Sequence, residues 1–289
     1  MIIMLTKEKI LSTISRINEE KFKELNGRQI ISVSKMEEFL CEKFDAETMA
    51  ASCAKKGAEN PDYKYAGMTA EEILNMWTSK ADESKRYGSL LDDYTMHRFE
   101  GSEDELEMWK LDNNFDYDDR LKNNCTGFEE FWKDLQLYGY EYVGREITLY
   151  RETAAGNIVT GRMDCLFRHP GTGNLFVIDW KTTEEIKTSS YGKKMKGPAF
   201  LYDDCDHGKY TIQTQTYKND LIYEYGLGTE ETVNCCVVNL LREKDPQLGK
   251  FYRIYKEARP FQHKVLDDII DFAIKKRELT KKMEEKKKS

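Results

Sequence analysis

The chain has 289 residues, of which 34% are charged and 39% hydrophobic, and its formal net charge is −7. No apolar run is long enough to cross a bilayer, and the first five residues are too few for the core of a signal peptide. The negative charge argues against a broad nucleic-acid-binding surface but is compatible with a narrow one. We therefore expect an intracellular, cytoplasmic protein without a membrane partner and with a sizeable core.

The seven cysteines are odd in number, scattered along the chain and without a Cys-x-x-Cys pair. This pattern argues against a disulfide framework or a zinc site. Reduced thiols, several of them filling core positions, are the simplest account.

The first half of the chain has helical patterns. Apolar residues recur near a 3.6-residue period over 6–25, and Gly27 is expected to end this helix. A short extended piece at 30–33 precedes a helix that we expect Ser34 to cap, with Glu37 in the capping-box position. The other predictions for this half are helices over 45–54, 69–77, 84–99 and 128–137, and loops over 57–67 and 113–124.

The second half has strand patterns. Strands are predicted over 142–150, 158–167, 175–178, 232–241 and 251–255. The dense turn signal His169–Asn174 joins the second and third of these into a hairpin. Helices are expected over 211–225 and from Val265 to the end, where lysines form a solvated tail.

Charged residues stand on the central hairpin. Asp179 follows an apolar strand and Lys181 comes two residues later, so both side chains point to the same face. The facing strand can bring Asp164 beside them. Two carboxylates and an ammonium next to a core suit a divalent-metal phosphodiesterase site. A surface salt bridge at a strand end would explain the spacing of these charges equally well.

The segment from Glu146 to Tyr217 resembles the PD-(D/E)XK nuclease superfamily, in its RecB-type and phage exonuclease branch. Four features carry the resemblance, in the order of the family: Glu146 in a strand, Asp164 in Gly-x-x-Asp-x-Leu, Asp179-Trp180-Lys181 as Asp-x-Lys, and Gln213 with Tyr217 as Gln-x-x-x-Tyr. The resemblance implies the α/β (α+β) class. It implies a restriction-endonuclease-like core with a central mixed β-sheet flanked by helices, and a helical N-terminal cap.

The resemblance also implies a metal site. Asp164, Asp179 and the backbone carbonyl of Trp180 would ligate one or two Mg²⁺ or Mn²⁺ ions, which activate a bound water. Lys181 would orient that water or stabilise charge at phosphorus. Glu146 would be an outer or additional ligand, although a plain strand-surface glutamate is an equally good reading.

The helix after the hairpin would complete the site. Gln213 and Tyr217 lie one turn apart on one face, where the resemblance makes them supporting or phosphate-contacting groups. A core role for Tyr217 is the alternative. The residues predicted to carry catalysis are then Asp164, Asp179, Lys181, Glu146, Gln213 and Tyr217.

An upstream metal ligand is expected at Asp92. In this branch a helix before the core often carries Gly-x-x-x-His, and here Gly88-Ser-Leu-Leu-Asp92 puts an aspartate, a good ligand for Mg²⁺ or Mn²⁺, at that position. His97 lies about 140° around the helix from Asp92 and is expected to be an ordinary, partly exposed histidine. Related nucleases sometimes hold an iron–sulfur cluster, but the adjacent pair Cys235-Cys236 lacks the spacing for one, so we expect none.

A basic, glycine-punctuated loop follows the catalytic strand, and it is predicted to hold the phosphate backbone of DNA. A solvated surface loop is the alternative. Its predicted DNA-binding residues are Lys187, Lys193, Lys194 and Lys196, with Tyr191 stacking on a base.

The sequence thus predicts a Mg²⁺- or Mn²⁺-dependent DNA nuclease, more readily an exonuclease than an endonuclease, in viral or phage DNA replication, recombination or repair. Its partners would be a DNA end or single strand and replication or recombination proteins. Residues 1–139 are expected to be a helical region that packs on the core and forms part of the DNA channel, 140–275 the nuclease core and 276–289 a basic tail, all in one integrated domain. The alternatives are a structure-specific endonuclease and a catalytically inactive nucleic-acid-binding protein of the same fold.

Overall fold

The computed structural model describes residues 5–23, 25, 28, 30–257, 260 and 262–288. The chain forms two compact units, one of residues 1–42 and 117–289 and the other of residues 43–116. These boundaries differ from those predicted at 139/140 and 275/276. Much of the predicted cap belongs to the same unit as the sheet, because its N-terminal segment supplies a strand and its last helix packs under that sheet.

The first unit contains the helices α1 (Lys7–Lys23), α2 (Val33–Leu40), α6 (Asp119–Leu137), α7 (Asp206–Asn219) and α8 (His263–Lys288), and the strands β1 (Ile30–Ser32), β2 (Glu141–Glu152), β3 (Ile158–Arg168), β4 (Leu175–Lys181), β5 (Val233–Leu240) and β6 (Tyr252–Tyr255). The second unit contains α3 (Ala46–Glu59), α4 (Ala70–Glu100) and α5 (Glu103–Asp112). Helix α7 continues as one π-helical segment, Asp220–Glu224.

The six strands form one mixed sheet, which confirms the predicted α/β (α+β) class with a mixed sheet flanked by helices. β3 pairs antiparallel with β2 and with β4, β4 pairs parallel with β5, and β5 pairs antiparallel with β6. β1 runs parallel to β3. The central hairpin was therefore predicted correctly, with β3 and β4 in register from Cys165↔Ile178 to Arg168↔Leu175.

One edge of β3 is shared by two strands. β2 pairs with one edge of β3 along almost the whole length of β3. β1 and β4 therefore both pair with the second edge of β3. β1 pairs with residues 158–160 and β4 with residues 165–168. Residues 161–164 therefore have no strand partner on this edge among the described residues, which leaves a gap in the sheet at Asp164.

Helices cover both faces of the sheet. The main core combines apolar side chains of α1, α2, α7 and α8 with one face, including Met36, Ile212 and Ile269. On the opposite face α6 packs aromatic rings against β4: Phe128 and Phe131 lie 5.3 and 5.4 Å from the ring of Trp180. Alternation along β4 thus places Trp180 on the α6 face and its neighbours, Asp179 and Lys181, on the α7 face.

Several predicted helix boundaries were wrong. The N-cap of α2 is Ser32, not Ser34, and Ser32 accepts a hydrogen bond from the backbone N–H of Lys35, so Glu37 lies outside any capping box.

The predicted acidic loop is helical from Asp119, because Asp118 caps α6. The two predicted helices at 69–77 and 84–99 are one helix, which continues through Gly88. Gly57 lies inside α3, and the predicted helix end at Gly27 falls outside the described residues.

The second unit has a small core of its own. Ala50, Cys53 and Ile73 are its buried centre, and the rings of Tyr65 and Trp77 pack around them. Helix α4 begins with the predicted capping box, since Thr69 and Glu72 satisfy each other's backbone N–H groups. A separate aromatic group closes the other end, where the ring of Tyr94 lies 5.5 Å from that of Trp109 in α5.

All seven cysteines are buried, which confirms the prediction that several of them fill core positions. Helices that could cross a membrane are absent from the described ranges.

Candidate active site

The gap in the sheet brings the two hairpin carboxylates together. β4 runs on for three residues after its last pair with β3, and in this stretch the backbone N–H of Trp180 donates a 2.7 Å hydrogen bond to Oδ2 of Asp164. A side chain thus replaces the missing ladder bond between the two strands. Asp164 and Asp179 therefore lie on the same face beside the gap, as the sequence predicted.

Asp179 is the most buried charge of this group, with no exposed surface. The ammonium of Lys181 lies 2.6 Å from its Oδ2. Apart from this ion pair, neither oxygen of Asp179 accepts a hydrogen bond from a described residue. A buried carboxylate with so few partners is unfavourable by itself, and a carboxylate of this kind is a natural ligand for a cation.

The charges of the site shift the pKa of its members. Burial and the negative charge of Asp179 together raise the pKa of Asp164 to about 8, against the opposing effect of Lys181. Burial alone would lower the pKa of Lys181, but Asp179 and Asp164 raise it above its ordinary value, so its side chain is an ammonium at neutral pH. The site therefore combines one ammonium with several carboxyl groups, whose burial and mutual repulsion favour protonation in the absence of a metal.

Glu146 lies on β2 opposite Asp164, between the register pairs Arg145↔Cys165 and Ile147↔Met163. Its backbone has a φ of +52°, which is unusual for a non-glycine residue and rare inside a strand. Its carboxylate forms an ion pair with Arg162, at 2.5 Å between Oε2 and Nε. Glu146 thus belongs to the site, but in this structure its charge is directed to an arginine.

Gln213 and Tyr217 face the gap from α7. Nε2 of Gln213 lies 3.2 Å from the hydroxyl oxygen of Tyr217, to which it donates a hydrogen bond. Burial raises the pKa of Tyr217, and the charges of Asp179 and Asp164 raise it further. Tyr217 also packs into the main core, which confirms the core role, while its phosphate-contacting role stays a prediction. The absence of a side chain at Gly161 allows this approach, because a Cβ there would lie 2.3 Å from Cε1 of Tyr217.

A cleft of about 310 Å³ opens at this gap. Four of the six predicted catalytic residues line it: Glu146, Asp164, Gln213 and Tyr217. Its remaining walls are mainly small or hydroxyl-bearing side chains at the start of α2 and on β2 and β3: Ser32, Val33, Ser34, Thr148, Thr160 and Gly161, together with Arg162.

Two further residues belong to this site. Burial raises the pKa of Glu37 on α2 well above its ordinary range, with an opposing effect from Lys181 and a further increase from Asp179. Tyr210 lies one turn before Gln213 on α7, and its ring is 4.7 Å from the ammonium of Lys181. The spacing Tyr210-x-x-Gln213-x-x-x-Tyr217 puts all three on one helix face and was a usable signal for Tyr210. Glu37 could not be found locally, because only the tertiary fold brings α2 to β4.

The basic loop makes internal contacts through three of its four lysines. Lys193 pairs with Glu42 at 3.2 Å, and Lys194 pairs with Asp203 at 2.7 Å. Nζ of Lys196 donates to the carbonyl of Cys41, which connects the loop to the end of α2. Lys187 is exposed, and the Tyr191 ring is fully exposed. The loop is therefore bonded to the rest of its unit, and Lys187 and Tyr191 are its members most accessible to a ligand.

Asp92 and His97 lie on α4, in the second unit. Asp92 is exposed, and its carbonyl accepts a hydrogen bond from the hydroxyl of Thr95. His97 is partly exposed, and its ring lies 6.4 Å from that of Trp109. A metal-binding role for Asp92 stays a prediction.

The donor atoms at the gap fit a hard divalent cation. Within the described ranges, no group of three or more His, Cys, Asp and Glu side chains lies close enough to hold a metal. The predicted ligand set does not need such a group, since it combines two carboxylates with the carbonyl of Trp180. The under-partnered oxygens of Asp179 and the Asp164 carboxylate beside them are the donors that Mg²⁺ and Mn²⁺ prefer.

No family model matches this chain. No curated protein matches it either. Among solved structures, the crystal structure of SSO0001 is similar with a TM-score of 0.35 and 13% sequence identity, over 92% of this chain and 84% of that one. A likeness this weak bears on neither fold nor function.

Proposed function

We propose that this protein is a divalent-metal-dependent DNA nuclease that hydrolyses phosphodiester bonds at DNA ends. The observation that carries the proposal is the meeting of Asp164, Asp179 and Lys181 at the gap in the sheet, where the buried carboxylate of Asp179 has only an ion pair to satisfy it. The resemblance of the motif order to the PD-(D/E)XK superfamily supports the same activity. A place in viral or phage replication, recombination or repair, with the partner proteins this implies, stays a prediction from that resemblance.

Asp164, Asp179 and the carbonyl of Trp180 are the proposed ligands for Mg²⁺ or Mn²⁺. The N–H and C=O of one strand residue point to the same side of the strand, and the N–H of Trp180 points to Asp164. The carbonyl of Trp180 therefore faces the same gap. A bound divalent metal would lower the pKa of a water molecule and neutralise charge on the scissile phosphate.

The protein's own groups would hold and orient the phosphate. Lys181 keeps its proton, because the raised pKa makes it an ammonium at any physiological pH. It can therefore stabilise negative charge that develops on the phosphate oxygens. The Tyr210 ring restricts the ammonium from one side, through a cation–π contact. Gln213 and Tyr217 line the cleft next to Asp164 and offer an amide and a hydroxyl to the phosphate or sugar.

The dimensions of the cleft favour a thin substrate. About 310 Å³ is at the small end of ligand pockets, and Asp179 itself has no exposed surface. A single strand or a frayed end can bring one nucleotide into such a cleft, whereas an intact duplex is far wider. This supports action at ends or on single strands rather than in the middle of a duplex.

The test is cleavage of DNA by the purified protein in Mn²⁺. We expect degradation of linear DNA, and loss of at least about a thousandfold in rate for Asp179→Ala and for Lys181→Ala. Asp82→Ala and Lys85→Ala are matched controls, because this pair is an exposed helix-surface ion pair, and we expect both to keep wild-type activity. Circular DNA should resist cleavage if the enzyme needs an end. Wild-type protein that binds DNA without cutting any substrate would favour the inactive binding protein instead.

A further inference from the structure

Asn239 lies beside the predicted catalytic lysine. The register of the parallel pair β4–β5 places Asn239 directly next to Lys181. Side chains at paired positions of neighbouring strands share a face. Cys235, four residues earlier on β5, accepts a hydrogen bond from Gln215 of α7, which identifies this face as the one that α7 covers. Asn239 is thus on the site face of the sheet.

The amide of Asn239 is buried without a partner. The residue is 1% exposed, and neither its Oδ1 nor its Nδ2 has a hydrogen-bond partner among the described residues. Buried side-chain amides in native proteins are nearly always bonded, because a lost hydrogen bond to water has to be replaced. An orphaned amide next to a site lysine indicates a partner that this state of the protein does not supply.

Lys181 is the neighbour that can supply it. Its ammonium now lies 2.6 Å from Oδ2 of Asp179, the same carboxylate that is a proposed metal ligand. A divalent metal and an ammonium compete for that carboxylate, since both are cations. When the metal binds, Lys181 needs another acceptor. Neighbouring strands are about 4.8 Å apart, so a lysine side chain can reach the amide oxygen of the residue beside it.

We propose that Asn239 is a positioning residue for Lys181, whose Oδ1 accepts a hydrogen bond from the ammonium once Asp179 binds the metal. Asn239 in this way holds the lysine near the phosphate and frees Asp179 for the cation. The inference rests on the proposed function, because without a metal at Asp179 the lysine has no reason to move.

The test uses Ca²⁺ binding measured by calorimetry, with no turnover of DNA. Asn239→Leu should weaken Ca²⁺ binding about tenfold, because the lysine then has only Asp179 as an acceptor. Lys181→Met should strengthen Ca²⁺ binding, and adding Asn239→Leu to it should change the affinity less than twofold. Asn239→Asp keeps an acceptor oxygen and should cause no loss. The matched control is Asn234→Leu, on the same strand but exposed and facing the opposite way, which should leave the affinity unchanged.

These variants distinguish an effect on folding from an effect on metal binding. Asn239→Leu removes an unsatisfied amide, so its melting temperature should equal or exceed that of the wild type. Equal weakening of Ca²⁺ binding by Asn239→Leu with and without Lys181 would overturn the inference, and so would no weakening in either background. Should Asn239→Leu fail to fold, loss of affinity in Asn239→Asp would overturn it. If the wild type binds no Ca²⁺, the proposed function and this inference both fail; if Ca²⁺ binds but Asn239 has no effect, only this inference fails.

Discussion

Two groups of buried charges in the first unit can be compared, because both place a buried aspartate beside a cation but differ in how many hydrogen bonds the buried groups make. One is the arginine cluster, which comprises Arg151 and its partners Asp220, His263 and Asp267. Arg151 has no exposed surface, and its guanidinium bonds Asp267 at 3.0 Å, Asp220 at 3.4 Å and Nδ1 of His263 at 2.7 Å. The other is the candidate active site, where Asp179 is equally buried but has only its ion pair with Lys181 and no further hydrogen bond from the described residues.

This difference in hydrogen bonding indicates a structural role for the arginine cluster and a functional role for the candidate active site. The arginine cluster joins β2, the π-helical segment and α8, and a partner lies at each end of the guanidinium fork, which is the arrangement of a structural ion network. One buried oxygen of that cluster, Oδ2 of Asp220, lacks a hydrogen bond from the described residues. The site leaves more carboxylate oxygens short of partners, on Asp179 and Glu37, which costs stability and is common where a ligand completes the set. We therefore expect substitutions in the first group to reduce stability and substitutions in the second to reduce activity.

The largest expected effect on stability is at Arg151. Arg151→Met removes the cation between Asp220 and Asp267 and leaves Asp220 buried, which should reduce the free energy of unfolding by about 3 kcal/mol. Urea denaturation measures the change. Arg28→Ala is the matched control, because Arg28 pairs with Glu152 on the surface and should cost less than about 1 kcal/mol. Equal stability of both variants would show that the arginine cluster is not a structural network.

An intermediate effect is expected at Gly161, where structure and site meet. In Gly161→Ala the new Cβ would lie 2.3 Å from Tyr217 and 2.8 Å from Val33, so we expect a loss of about 1–3 kcal/mol in unfolding free energy. DNA cleavage should fall as well, because Tyr217 must move. Gly88→Ala is the control, since nothing lies within 4 Å of its Cβ position in α4, and it should stabilise by about 0.5–1 kcal/mol. A Gly161→Ala variant with normal stability and cleavage would refute the close packing of Tyr217.

The pH dependence of the metal-free protein tests the charges of the site. The pKa of Asp164 is raised to about 8 in the fold, against about 3.9 in an unfolded chain. Between these values the folded protein holds a proton that the unfolded chain has released, so stability falls as pH rises through this window.

Asp164→Asn removes that contribution. Its melting temperature without metal should exceed that of the wild type by a margin that grows from pH 5 to pH 8, because the other titrating groups are common to both proteins. Thermal unfolding in a chelator measures this margin. Parallel curves over this range would mean that Asp164 is not the group that titrates.

The smallest effect is expected in the basic loop. Lys187→Ala should weaken single-stranded DNA binding a few-fold and reduce the salt slope by about 0.7, the value for one lost phosphate contact. Lys194→Ala should change binding less, since Lys194 is already paired with Asp203. Fluorescence anisotropy over a range of salt concentrations compares the two variants. A Lys194→Ala effect as large as that of Lys187→Ala would contradict the assignment of these partners.

The features predicted correctly are those that depend on short segments. The β3–β4 hairpin follows from two apolar runs around a dense turn, and the shared face of Asp179 and Lys181 follows from strand alternation. The capping box at Thr69 is likewise a four-residue signal. No element was predicted at α5, and the start of α6 was placed too late because acidic residues indicate a helix N-terminus as well as a loop.

The features that were missed depend on residues far apart in the chain. Glu37 was taken for a capping residue, yet it is brought to the site because β1 shares an edge of β3 with β4. Asn239 is one of two asparagines in an otherwise apolar strand, and only the strand register shows that it lies beside Lys181. The positive φ of Glu146 has no sequence signal, since glutamate is not a residue that favours it.

The central claim is that Asp164 and Asp179 hold a catalytic divalent metal. Anomalous diffraction from crystals soaked in Mn²⁺ tests this most directly, because it locates the ion without dependence on a substrate. The account predicts an anomalous peak within about 2.5 Å of carboxylate oxygens of both residues and of the carbonyl of Trp180, and no such peak in Asp179→Ala. A Mn²⁺-soaked crystal with no peak at the gap, from protein that degrades DNA in Mn²⁺, would contradict it.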